Sequence, residues 1–381
     1  MAAETSRTGM NHKYFSYVLA GGLVACLGAS AWGVIHFPRT VRISSADADS
    51  SAAPSQAVKS MPSPVPMLDI AAYNEKLLEI ANLKVVTHET RIRKPHSTST
   101  ELIISTSTVP IGWPVKAAYP NVGALLPFDR IIAYYGNLYS TQMGVLGKYP
   151  EPEMLARLAS TTAAWQAADP ETRTIPALDY IAVAAQAGPG PDGKYRLRMP
   201  ADQMDKIVEM ALRAHAIVIL DVQVGLSTVQ EEVPLLEPYL KLPQVHLALD
   251  PEFAMHNGAR PGRVIGSLDA KDINDAAEYL ARLVRENNLP PKILVVHRFT
   301  QPMVTHADQI KPLPEVQIVM DMDGFGPPSM KLQTYHDFIQ SEPVQFTGFK
   351  LFYVNDAKAG HLMTPEEVLR LAPRPSFIQY Q

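Results

Sequence analysis

The sequence predicts an α/β fold, a (β/α)8 TIM barrel preceded by an N-terminal membrane segment and a flexible linker. Three observations carry that reading. From Arg130 onward, eight short apolar runs alternate with seven helical stretches, the order expected of a parallel sheet crossed by helices. Residues 128–381 span roughly the ~250 residues that such barrels take. The runs are near-continuous in apolar residues, as strands covered on both faces are. An open, doubly wound sheet is the rival arrangement, because strand order cannot be read from one sequence.

The N-terminal element comes first. Tyr14 to Phe37 holds no Asp, Glu, Lys or Arg, and at ~1.5 Å rise per residue it is long enough to cross a ~30 Å hydrocarbon core. Two readings stay open. In one, residues 1–39 are an uncleaved anchor. In the other, Leu23-Val24-Ala25-Cys26 resembles a bacterial lipoprotein cleavage box, and Cys26 becomes the lipidated first residue. The apolar run continues past Cys26 to Phe37, which favours the anchor. Either way the expected partner of this end is a membrane. Arg7 and Lys13 before the segment and Arg39 and Arg42 after it nearly balance, so charge does not set the orientation.

Residues 40–66 are rich in Ser, Ala, Pro and Asp without apolar period, and read as a linker. Residues 67–127 read as a stalk or a segment capping the barrel. Within it, 67–82 spaces Leu68, Ala71, Leu77, Leu78 and Ala81 as an amphipathic helix does, and the ELIISTSTV stretch suggests a short strand. The barrel domain is 128–381. Its expected strands are 130–135, 178–186, 215–221, 245–250, 292–297, 316–321, 347–353 and 376–380. Expected helices are 151–167, 201–213, 228–240, 270–287, 302–310, 329–340 and 364–371. Start signals support several: Pro200 before Ala201-Asp202, Asp269 or Asp272 before the 270–287 helix, and the capping-box pattern Thr364-Pro365-Glu366-Glu367.

Composition narrows the function classes. The formal charge of −4 lacks the basic footprint of nucleic-acid binding. A single cysteine excludes an intramolecular disulfide and a cysteine zinc site. Gly188-Pro-Gly-Pro-Asp-Gly193 matches GxGxxG in letters, but its prolines remove amides that would hold a pyrophosphate. Asp321-Met322-Asp323-Gly324 lacks the remaining EF-hand ligands. No nucleotide loop, serine elbow or HExxH motif is present, and no cofactor is expected.

Chemistry gathers at the strand ends. Asp221 and Gln223, Asp250 and Glu252, and Asp321 and Asp323 each close an apolar run. Residues i and i+2 of a strand face the same way, and barrels place their active sites at the carboxyl ends of strands. Glu252, beside Asp250 and Phe253, has the surroundings of a general acid whose pKa is raised by burial and like charge. Asp321 or Asp323 would be nucleophile, base or transition-state stabiliser; an Asx turn before Gly324 is the bland alternative. Asp221 reads as a hydrogen-bond acceptor, and His297 as a substrate donor, a metal ligand or an ordinary hydrogen-bonded histidine. Tyr134 and Tyr135, before Gly136, suit a sugar platform. Gln186, Arg298, Tyr353 and Gln379 complete the strand-end set.

The segments YYGN, LDVQ, LALDPEF, VVHRFT and MDMDGFG, in this order, resemble a family of bacterial secreted or lipid-anchored TIM-barrel proteins with a glycoside-hydrolase-like layout. The resemblance covers about residues 120–381. It implies a protein of the bacterial cell membrane with its barrel on the periplasmic or extracellular side. It implies no particular activity, since the family carries none that is established. In the related retaining glycosidases the acid follows the fourth strand, which Glu252 matches. Their nucleophilic Glu follows the seventh strand, where this chain has Phe352-Tyr353-Val354-Asn355-Asp356 and no Glu.

Three function classes follow. The first is a glycosidase of envelope or surface glycan, with Glu252 as acid and an aspartate on the sixth strand as its partner in an inverting pair. The second is a non-catalytic glycan-binding or scaffold barrel, favoured by the scarcity of tryptophan. The third is a metal-dependent phosphodiesterase-like hydrolase with Asp250, Glu252, His297, Asp321 and Asp323 as ligands.

Overall fold

The computed structural model describes residues 67–82, 85–93, 100–108, 112–256 and 258–381. The expected membrane segment and linker lie outside the described residues. No helix among the described residues is long and apolar enough to cross a membrane.

Eight parallel strands close on themselves: β1 (Asp129–Gly136), β2 (Arg173–Ala185), β3 (Ile217–Val222), β4 (Val245–Leu249), β5 (Lys292–Arg298), β6 (Val316–Met322), β7 (Phe346–Leu351) and β8 (Phe377–Tyr380). Each pairs with its neighbours in sequence, and β8 pairs with β1. Closure excludes the open sheet. A short antiparallel strand, Arg196–Arg198, extends the end of β2. Before the barrel, Val85–Arg93 and Thr100–Thr108 form an antiparallel pair.

Alternation along the strands divides the apolar residues into two cores. Ile132, Leu178, Val218, Leu247, Leu294, Ile318 and Phe349 face outward and pack under the helices with Met154, Leu158 and Trp165. Ile131, Ala133, Ala177, Ile219, Ala248, Val295, Val319 and Phe377 fill the lower barrel interior. Helix α1 (Ile70–Ala81) closes the bottom: Ile80 and Leu77 join the inner cluster, and the Arg374 amide donates to the Ile80 carbonyl at 2.6 Å.

Four longer helices cover the barrel: α2 (Glu151–Ala168), α3 (Ala201–Ala214), α4 (Ala270–Asn287) and α5 (Pro328–Tyr335). Asp269 caps α4 and shares a capping box with Asp272. Thr364 and Glu367 form the second capping box, though its helix spans only Pro365–Val368.

Three further expected helices differ from the sequence reading. The 228–240 stretch is a broken turn of α, 3-10 and α segments, because Pro234 and Pro238 remove backbone donors. The 302–310 stretch is two 3-10 turns around the two-residue strand Val304–Thr305; Pro302 and the left-handed His306 (φ 55°) prevent a continuous helix. Beyond α5 the chain widens into a π-helical turn, His336–Gln340.

Candidate functional site

The upper half of the barrel interior is polar. The inward positions two residues on from the apolar floor are Asp179 on β2, Asp221 on β3, His297 on β5, Asp321 on β6, Lys350 on β7 and Gln379 on β8. Asp179, Asp221, His297, Asp321 and Gln379 are fully buried, and Lys350 is 3 % exposed. One step higher stand Tyr135, Gln223, Asp250, Glu252 and Asp323. Among them Asp323 is 8 % exposed and Glu252 is half-buried, so these two carboxyls lie nearest solvent.

The contacts form a single column. His297 Nδ1 is 3.0 Å from Asp321 Oδ2 and 3.7 Å from Asp323 Oδ2. Its Nε2 is 3.8 Å from Asp221 Oδ2. Lys350 Nζ meets Asp323 Oδ1 at 2.9 Å and lies 4.1 Å from the Tyr135 ring centroid, an ion pair combined with a cation–π contact. Gln223 Nε2 donates to Asp250 Oδ2 at 3.2 Å and to the Tyr135 hydroxyl at 3.1 Å. Gln379 Nε2 donates to Asp179 Oδ2 at 2.6 Å. Asp250 Oδ1 accepts from the Glu252 amide at 3.2 Å, which turns the chain and presents the Glu252 carboxyl at the rim.

Gly348 makes room for this. A Cβ there would stand 2.4 Å from Asp321 Oδ1 and 3.0 Å from the Phe377 ring. Only a residue without a side chain lets Asp321 turn inward between β6 and β7.

Burial and crowded charge set the protonation of the column. Burial, reinforced by Asp221, pushes Asp179 up to about 8 and Asp250 up to about 7. Burial with Asp250 and Asp323 pushes Glu252 up to about 8. Burial also raises Asp221 and Asp321, against the opposing pull of His297. Burial disfavours the imidazolium of His297, but its bond to Asp321 and the nearby Asp221 and Asp323 prevail and raise it to about 10. Lys350 likewise stays charged, because Asp323 outweighs desolvation. At neutral pH the column therefore contains two cations, His297 and Lys350, and an acid at the rim, Glu252, that holds its proton.

Of the sequence-predicted residues, Asp221, Gln223, Asp250, Glu252, His297, Asp321, Asp323 and Tyr135 come together here. Four do not. Tyr134 alternates with Tyr135 and so faces the helices, bonded to Thr161 of α2 at 2.7 Å and to Tyr353 at 3.1 Å. Tyr353 stacks on Tyr380 in the same outer aromatic group, so the expected two-tyrosine platform is reduced to Tyr135. Arg298 alternates with His297 and points outward, bonded to Glu342 at 2.7 Å. Gln186 turns back onto the carbonyls of Ala184 and Ala185. Among the described residues no three His, Cys, Asp or Glu side chains are placed to hold a metal ion.

Sequence reasoning missed Asp179 and Lys350. Their signal was an ionisable residue inside an otherwise apolar strand, in ALDYIAV and GFKLF. Asp179 lies two residues past the inward Ala177 and Lys350 four past the inward Phe346, so by the two-residue period each had to face the barrel interior.

No protein-family model matches the chain, and no curated protein does. Among solved structures the chain is distantly similar to other barrels. A Bacteroides ovatus GH5 xyloglucanase shares 10 % identity with TM-score 0.34, over 78 % of this chain and 80 % of that one. A ruminal GH26 endo-β-1,4-mannanase shares 11 % with TM-score 0.33, over 74 % and 67 %. Orotidine 5′-monophosphate decarboxylase from Methanocaldococcus jannaschii shares 9 % with TM-score 0.31, over 67 % and 89 %.

Proposed function

We propose that the protein is a membrane-tethered, extracytoplasmic glycoside hydrolase acting on envelope or surface glycan. The observation that carries the reading is Glu252. It is half-buried at the carboxyl end of β4, pushed up to about 8, and its carboxyl makes no hydrogen bond among the described residues. Its proton is thus free for a leaving-group oxygen, the task of a general acid. Asp323, held by Lys350, is the second carboxyl within reach of solvent. It would stabilise the developing oxocarbenium ion and orient the attacking water. Tyr135 and Gln223 form the adjoining wall.

The tether rests on the uncharged apolar stretch Tyr14–Phe37, and the extracytoplasmic side on the family resemblance.

A second reading is a barrel that binds glycan without cleaving it. It is favoured by the complete burial of Asp179, Asp221, His297 and Asp321, which would serve a rigid scaffold equally well. The test is mass spectrometry of products released from purified envelope glycans by the full chain and by Glu252→Gln. Products that vanish with Glu252→Gln are the expected result. Products that persist in the variant would remove Glu252 from the chemistry, and none from either chain would leave the binding reading.

A further inference from the structure

Resting on the glycan reading above, we propose that the turn Arg260-Pro261-Gly262-Arg263 receives an oxyanion of the glycan, a phosphate or a carboxylate, so that the substrate class is an acidic glycan. The first ground is the turn itself. Pro261 precedes Gly262, whose φ is 75°, and the Arg263 amide donates to the Arg260 carbonyl at 3.1 Å, the pattern of a type II turn. The first and last residues of such a turn lie within ~7 Å of each other. Pro261 is buried and both arginines are exposed, so the turn packs by its proline and displays two guanidinium-bearing residues at one tip. Among the described residues neither arginine forms an ion pair. The acids of the neighbouring elements are engaged by other cations: Asp192 by Arg196 at 2.7 Å, Glu231 by Lys194 at 3.8 Å and Asp272 by His256 at 4.0 Å. Like charges held at the two ends of one turn repel. An oxyanion between them removes that repulsion and accepts charge-assisted hydrogen bonds from both. A neutral hydroxyl leaves the repulsion in place, and an ammonium group adds to it.

The second ground is position. The loop that carries the turn leaves and rejoins the barrel at Glu252. The Gly266 amide donates to the Glu252 carbonyl at 2.7 Å, and the Ser267 amide to the Ala254 carbonyl at 3.1 Å. Glycine is required at this neck, where a Cβ would stand 2.6 Å from the carbonyl oxygens of both Pro251 and Ala254. A surface loop with its ends tied together is a common carrier of function. Arg263 is three residues from Gly266, and three residues reach at most ~11 Å. The turn therefore stands beside the rim acid, where a glycan bound at Glu252 would pass it.

The third ground is Tyr195, on the loop after β2. Its backbone is left-handed, φ 53°, which is rare for a bulky residue. Its amide donates to the Pro189 carbonyl at 3.0 Å and its carbonyl accepts from the Gln186 amide at 2.8 Å. The Arg260 guanidinium lies 5.8 Å from its ring centroid. Strained backbone of this kind concentrates at ligand clamps. The aromatic face orients Arg260 without neutralising it, which leaves the charge for a ligand.

The experiment is equilibrium binding of the full chain carrying Glu252→Gln to immobilised envelope glycan in three forms: untreated, carboxyl-reduced, and dephosphorylated with hydrofluoric acid. The untreated glycan should bind at least about tenfold tighter than one of the treated forms, and the form that loses binding identifies the anion as carboxylate or phosphate. Adding Arg260→Gln and Arg263→Gln should weaken binding of the untreated glycan by a similar factor, leave the form that lost its anion unchanged, and flatten the fall of affinity with salt. Equal affinity for all three forms, no binding to any, or a double-arginine variant that behaves as its parent would overturn the proposal. Product release by the wild-type chain, measured separately, tells the two claims apart. Cleavage that ignores both the arginines and the treatments sinks the anion site and spares the hydrolase. Anion-dependent binding that is lost with the arginines, without product release from any glycan, spares the anion site and sinks the hydrolase.

Discussion

Replacing Lys350 by methionine tests whether the column is held together by charge balance. The ammonium is 3 % exposed, 2.9 Å from Asp323 Oδ1 and 4.1 Å from the Tyr135 centroid. Methionine keeps the stem and removes the charge. Breaking one side of a buried ion pair costs ~3–5 kcal/mol, because the survivor is left uncompensated. Asp323 retains some exposure, and water can partly screen its charge, which places the expected loss near the lower figure, about 3 kcal/mol. For a barrel of this size that is a fall of roughly 6–12 °C in Tm. The assay is urea and thermal denaturation of a chain spanning residues 67–381, alone and with Asp323→Asn. If the pair is the source, the double variant should recover about 2 kcal/mol relative to additivity. A loss under about 1 kcal/mol, or additive single effects, would refute the charge-balance reasoning.

Stability should also depend on pH with a definite sign. Asp179 and Glu252 at about 8, Asp250 at about 7 and His297 at about 10 all bind protons more tightly folded than unfolded. Their contribution is complete below the unfolded values and is lost as pH rises through the folded ones. Lys292, lowered to about 7 by burial, works in the opposite direction above that pH, and the acids Glu237 and Asp269, lowered to about 2, lose their contribution only in strong acid. Tm should therefore peak in mild acid and fall between about pH 6 and about pH 9, with Glu252→Gln and Asp179→Asn flattening the slope; a Tm that rises over that range contradicts the assignment. Gly348→Ala, whose Cβ would stand 2.4 Å from Asp321 Oδ1, should cost ~1–3 kcal/mol in urea denaturation. Cys26→Ser should leave the full chain in the membrane fraction at unchanged processing; release or altered mass would instead favour lipidation at Cys26.

Much of the fold was legible because its signals are local. Apolar runs, prolines and capping residues act within a few positions of themselves, and β5 begins at Lys292 and β8 ends at Tyr380 as expected. Two of the three polar pairs were legible for the same reason: a two-residue period puts Asp221 with Gln223 and Asp321 with Asp323 on one side whatever surrounds them, whereas Glu252 stands in a 3-10 turn, Pro251–Phe253, that Asp250 caps. That same period, applied strictly, separates Tyr134 from Tyr135 and Arg298 from His297, and it brings Lys350 inside. Which of the two strand faces is the interior is a property of the closed barrel, as the outward contacts of Tyr134 and Arg298 show.

The sequence by itself determined the alternation of elements, their caps and the polar residues that end the strands, since propensity, periodicity and turn chemistry are properties of neighbouring residues. Only the tertiary structure decided that Lys350 meets Asp323, that His297 stands between Asp221 and Asp321, and that Gly348 clears the space for them. Those contacts join strands far apart in sequence and depend on barrel closure and stagger. The protonation of Glu252 follows from them, because burial and neighbouring charge exist only once the strands have assembled.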